Sequence, residues 1–133
     1  RFIPSNPSEV IAALERSNQT ADHHIHIAEF VPSEDINAIV EIADGLVPAS
    51  VQVSVTDLLD EELPLLNTEA VVCWNYGDQD RLRQVEREGY LGGDITFDFE
   101  SDQITYRNGS EHHIDIIRLE ARIEQQATQT TQT

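Results

Sequence analysis

The sequence predicts a mixed α/β domain, a two- or three-layer sandwich on a mixed sheet that closes with a C-terminal antiparallel three-stranded meander. Three observations carry this. Helix-period and strand-period segments alternate through the first ninety or so residues, the order that stacks helices on a sheet. Beyond Gly92-Gly93 the period-2 segments follow one another, separated by the turn signals Ser101-Asp102 and Asn108-Gly109, as successive hairpins require. The 133 residues are enough to bury one core, and no internal repeat divides them. Residues 1–124 therefore read as a single α/β domain and 125–133, rich in Gln and Thr, as a polar tail.

Each element has a local reason. Asn6-Pro7-Ser8-Glu9 supplies an N-cap, a proline at the first helical position and a carboxylate for a capping box, and Val10, Ile11 and Leu14 continue as an apolar stripe to Ser17-Asn18. A strand follows over 23–30, with Ile25 and Ile27 on one face and His24, His26 and Ala28 on the other. The next segment reads as the best-marked helix. Ser33 caps it, Glu34 and Asp35 suit its positive end, and Ile36, Ile39, Val40 and Ala43 recur at helical spacing up to Gly45. Val51, Val53 and Val55 alternate with Gln52 and Ser54 as a short one-sided strand. Residues 57–66 allow one helical turn or a loop, limited by Pro64.

Ala70 to Trp74 is an apolar run of strand length and predicts a buried strand. Asp78 caps a short helix that carries Leu82 and Val85 and stops at Gly89. Ile95, Phe97 and Phe99 then pair with Ile104 and Tyr106. The last segment, 112–124, fits two templates. A helix would split its apolar residues between two stripes and set Arg118 on Arg122 and Glu120 on Glu124 at like-charge spacing. A strand gathers Ile117, Leu119, Ala121 and Ile123 on one face, leaves Arg118, Glu120, Arg122 and Glu124 alternating on the other, and needs a bulge near Ile116-Ile117. The strand is the better fit.

Charge is the strongest compositional signal. Twenty-five Asp and Glu face eight basic residues, all of them Arg, and the formal net charge is −17. In dilute buffer so large a charge opposes the compact state through self-repulsion. At ~1 M salt the screening length falls to ~3 Å and most of that repulsion disappears. An acidic chain without Lys resembles, in composition, the proteins of haloarchaea and their viruses. The resemblance implies a working medium of molar salt, and the cytoplasm of a high-salt organism or a virion as the location. Nucleic acid is a poor partner, because the chain offers no basic patch and phosphate contacts weaken steeply with salt. No apolar run approaches the ~20 residues of a membrane span. The opening Arg1-Phe2-Ile3-Pro4 lacks a signal-peptide pattern, and a start on Arg suggests a processed product or a fragment.

Few residues point to chemistry. The lone Cys73 lies in the apolar run with no charged neighbour in sequence, which favours an inert buried thiol. Two Asn-x-Ser/Thr triplets begin at Asn18 and Asn108 and are too short to carry weight. All five histidines fall in Asp22-His23-His24-x-His26 and Glu111-His112-His113-x-Asp115. If the two segments converged, His24, His26, His112 and His113 with a carboxylate would make a set suited to zinc or a similar divalent metal. No phosphate-binding Gly-rich loop, nucleophile elbow or calcium loop is present in the sequence. The first functional expectation is a non-catalytic assembly or interaction protein, for example a virion structural component, whose partners are other protein subunits and which forms a homo-oligomer or a larger assembly. An intracellular regulatory or ligand-binding domain is the second, and a metal-dependent enzyme built on the His clusters the third.

Overall fold

The computed structural model describes residues 3–19, 24–31, 36–43, 45–60 and 65–123. In chain order the elements are α1 (Pro7–Asn18), β1 (His26–Phe30), β2 (Ala38–Ile42), β3 (Gly45–Val51), α2 (Val55–Asp60), β4 (Ala70–Cys73), α3 (Gln79–Glu88), β5 (Asp94–Asp98), β6 (Gln103–Arg107) and β7 (Glu111–Arg118), with a 3-10 turn at Leu65–Asn67. The strands form one mixed sheet in the order β1-β2-β3-β4-β7-β6-β5. Two antiparallel meanders, β1-β2-β3 and β5-β6-β7, flank β4, which runs parallel to β3 on one side and to β7 on the other. The expected mixed α/β architecture and closing meander are both present.

The helices cover opposite halves of the sheet. On one face α1 packs Val10, Ala13 and Leu14 against Val40, Ala49, Val51 and Val72. On the other, α2 and α3 pack Leu58, Leu59 and Leu82 against Val71, Cys73 and the meander residues Ile95, Phe97, Ile104, Tyr106, Ile114 and Ile116. Among the described residues only β4 is buried along its whole length on both faces, which is why Ala70-Val71-Val72-Cys73 is unbroken in hydrophobicity.

Local signals set several ends as expected. The Asn6 side chain accepts from Glu9 N at 2.9 Å, and Glu9 reaches back to the backbone and hydroxyl of Ser5. Those donors hold the Glu9 carboxyl below its ordinary pKa. Asp78 caps α3 by accepting from Arg81 N at 3.2 Å, and Gly89 ends it at φ 89°.

Three expectations are corrected. The segment read as a helix up to Gly45 is strand β2 where it is described, and Ser33, Glu34 and Asp35 lie outside the described residues. Ala38 and Val40 face the α1 core at period 2, and Asn37 ties the segment to β3 rather than to a helical turn. Its side chain donates to Val51 O at 3.0 Å and accepts from Val51 N at 2.7 Å. The strand read at Val51–Val55 runs earlier, over Gly45–Val51. Pro48 hid it from the sequence. Its carbonyl accepts from Glu69 N at 2.9 Å, so its missing N–H also faces the β4 side, just ahead of the first β3–β4 pair at Ala49–Ala70. No β3–β4 rung is lost. Val55 begins α2, whose cap is Ser54 Oγ accepting from Asp57 N at 3.1 Å.

The third correction concerns 112–124. Strand β7 ends at Arg118, and 119–123 is helical. No bulge separates Ile116 from Ile117. The β7 register is unshifted against β6 and then β4, and the two residues face opposite cores because this end of β7 is covered on both sides. Pairing stops where β4 stops, at Cys73–Arg118, and Glu120 N donates to Trp74 O at 3.0 Å as the chain turns into the helix. Leu119 and Ile123 join the α1 core from that turn. Arg118 is not a solvent-facing member of a charged row. It donates to Asp102 at 2.7 Å and lies over the Tyr76 ring. Residue 124 and the polar tail 125–133 lie outside the described residues.

Candidate functional site

The fold separates the two histidine clusters. His24 and His26 sit at the start of β1, exposed, their rings edge-to-face at 5.8 Å. His112 and His113 lie on β7, four places away in the sheet, or ~19 Å at the usual strand spacing. The latter two also point to opposite faces. His112 Nε2 donates to the Thr68 carbonyl at 2.7 Å, whereas His113 stands between Thr105 Oγ1 at 3.2 Å and Glu111 at 3.3 Å on the other side. Asp22 and His23 lie outside the described residues, and Asp115 is taken up by Gln103 at 3.4 Å. Among the described residues no group of three or more His, Cys, Asp or Glu is positioned to hold a metal ion.

The carboxyl ends of the parallel strands, where open α/β sheets often bind ligands, are filled by the protein's own side chains. Asp102, in the β5–β6 turn at φ 56°, accepts from the Tyr76 hydroxyl and from Arg118 Nε. Tyr76 packs edge-on against Phe99 at 4.6 Å, and Arg83 covers the other ring at 4.3 Å. Burial and the adjacent Asp102 carboxylate push the Tyr76 hydroxyl above its ordinary pKa. Cys73 lies beneath, fully buried, and desolvation raises its thiol to about 12. It is buried as the sequence suggested, and that burial disfavours the thiolate. Gly77 brings the β4 loop against α2, since a Cβ there would stand 2.6 Å from Thr56 Oγ1. The cluster acts as a clasp tying the meander to the end of β4.

The two outer edges of the sheet differ, and this difference has no signature in the sequence. On β5, the Phe97 N–H donates to Glu86 of α3 at 2.8 Å, and Arg83 lies 3.5 Å from the Phe97 carbonyl. One end of the same edge is closed by Tyr90 and Gly93, which exchange both backbone bonds at 2.9 Å. On β1, the bond from Val31 N to Asn37 O and the alternation of the β1–β2 ladder turn the backbone groups of Ile25, Ile27 and Phe30 outward. Asn18 closes Ile25, donating to its carbonyl at 2.8 Å and accepting from its N–H at 3.1 Å. Among the described residues no strand lies beyond β1. A register shift at Ala28 puts the side chains of Ile27 and Phe30 on the α1 face together, and leaves His26 and Glu29 exposed on the opposite face.

No protein-family model, no curated protein and no solved structure matches the chain.

Proposed function

We propose that the chain is a non-catalytic assembly domain of a salt-adapted system, joining protein subunits through the outer edge of β1. The carrying observation is the unequal treatment of the two sheet edges. Unpaired strand edges template association with other chains, and natural proteins cover or charge them unless they are used. On the β5 edge Glu86 and Arg83 engage Phe97 and Tyr90 engages Gly93, which leaves Ile95 between them, whereas among the described residues neither Ile27 nor Phe30 on β1 has such a partner.

The composition supports the setting. A net charge of −17 with no Lys keeps copies apart in dilute buffer and lets them approach once salt screens it. The cytoplasm of a high-salt organism, or a virion built in such a cell, combines molar salt with subunit assembly. A strand edge alone falls short of the ~1,200 Å² of a stable standard interface, so each contact is weak and the assembly gains strength from repetition. Sedimentation velocity across a KCl series tests the reading. Species larger than the monomer are expected at molar KCl and fewer of them at ~0.1 M, where the screening length is ~10 Å. A monomer at every salt and protein concentration overturns it.

A further inference from the structure

We infer that the occupant of the β1 edge is the β1 strand of a second copy, paired antiparallel across a two-fold axis normal to the sheet near Ala28. The inference rests on the assembly reading above and adds the partner and the register.

The outward backbone groups come from Ile27 and Phe30, three positions apart with the register shift between them. Reversing the strand about an axis between those positions sets Ile27 of one copy opposite Phe30 of the other, and Phe30 opposite Ile27, so both sets of groups pair at once. An isologous contact has this self-complementary form. The side chains follow the same pattern. Ile27 and Phe30 are both directed to the α1 face, so each aromatic ring meets a β-branched side chain across the new ladder. On the opposite face His26 of one copy comes diagonally beside Glu29 of the other. Ala28, the extra residue of the register shift, lies near the axis and is small enough to leave the approach clear.

Charge favours this edge over the other. The described stretch 24–31 carries one carboxylate, Glu29, and two imidazoles, in a chain of 25 carboxylates. The β5 strand carries Asp94 and Asp98 in five residues, so two β5 edges would set carboxylates against each other. Between two highly acidic copies, paired β1 strands bring fewer facing carboxylates together than paired β5 strands.

The test compares the wild type with Ile27→Pro by sedimentation equilibrium in molar KCl. The N–H lost at position 27 faces away from β2, so β1 keeps its own ladder, and a thermal melt checks that the variant is folded. Self-association is expected to weaken about tenfold or more, since each copy loses a bond of the shared ladder. A second measurement needs no variant. Hydrogen exchange of the wild-type Ile27 and Phe30 amides is expected to slow as protein concentration rises. Association that is unchanged in folded Ile27→Pro, or that leaves those two amides unprotected, overturns the pairing and with it the β1 edge as the joint, while larger species at molar KCl would still support assembly by another surface. A chain that stays monomeric throughout overturns both.

Discussion

Replacing Asn37 with Ala asks how much of the first meander depends on one side chain. The Asn37 amide is buried at 5% exposure and holds both backbone groups of Val51, which is itself fully buried, at 2.7 and 3.0 Å. Truncation orphans one N–H and one C=O in the α1 core. At ~1–3 kcal/mol for each unsatisfied buried group, the loss comes to about 2–6 kcal/mol. The unfolding entropy per residue then converts this to a fall in melting temperature of roughly 7–20 °C for a chain of this length. Asn37→Asp is the sharper variant. It keeps the shape and the acceptor for Val51 N, but sets an acceptor against Val51 O and brings a charge into the core. It should therefore cost at least as much as Ala. If shape alone mattered, Asp would be tolerated. Urea melts at fixed molar KCl are the suitable assay, because guanidinium chloride would itself change the screening. A loss below ~1 kcal/mol for Ala, or a neutral Asp, would refute the assignment of β2 to this bridge.

Three further outcomes follow from particular contacts. Lowering KCl from molar to ~0.1 M should lower the melting temperature, because 25 carboxylates against eight Arg are then less screened; an unchanged value in circular dichroism melts would remove the basis for salt adaptation. Leu119→Asp should cost a few kcal/mol by placing a charge among Leu14, Val72 and Trp74, and Arg118→Asp should cost more than an exposed reversal because it sets a carboxylate on Asp102; denaturant midpoints no different from wild type would contradict these positions. The Cys73 thiol is raised to about 12 in the fold from an ordinary value near 9, so its contribution is fully present below pH 9 and is lost as pH rises from there toward 12. Cys73→Val should flatten the alkaline decline in stability over that window, and a decline as steep as in wild type would show that another group governs it.

The elements legible in the sequence are those fixed by neighbours in the chain. Helix α3 has its cap at Asp78 and its stop at Gly89, and the β5–β6–β7 meander has its turns at Ser101-Asp102 and Asn108-Gly109. The illegible ones are decided at a distance. Ile36, Ile39, Val40 and Ala43 suit a helix, but Ala38, Val40 and Ile42 suit a strand equally well. The arbiter is Val51, fourteen residues from Asn37. Likewise 112–124 changes from strand to helix at Arg118 only because β4, the neighbour it pairs with, ends at Cys73. The histidine clusters were legible as clusters, but their separation follows from strand order, which insertion of β2, β3 and β4 between them determines. The candidate site was wholly hidden, since Glu86 reaching Phe97 from α3 gives no local signal.

Three side chains close backbone edges of this sheet in the same manner. Asn18 takes both groups of Ile25, Asn37 both groups of Val51, and Glu86 the N–H of Phe97. Each offers the geometry of a missing strand at the place where a ladder would otherwise end in unpaired groups. Asn18 stops one register step short, since Ile27 is the next outward residue after Ile25. In dilute buffer an open edge on a chain of net charge −17 is harmless, because repulsion between copies protects it. In molar salt that protection shrinks to contact range, while a backbone hydrogen bond between neutral groups is little affected by screening. The acidic surface and the open edge would then operate as one device, with salt controlling access to the edge. The order of events on dilution would distinguish this from simple salt-dependent folding. Copies should separate before the domain unfolds, so that a folded monomer appears at intermediate KCl. Simultaneous loss of association and of secondary structure would mean that salt acts on the fold alone.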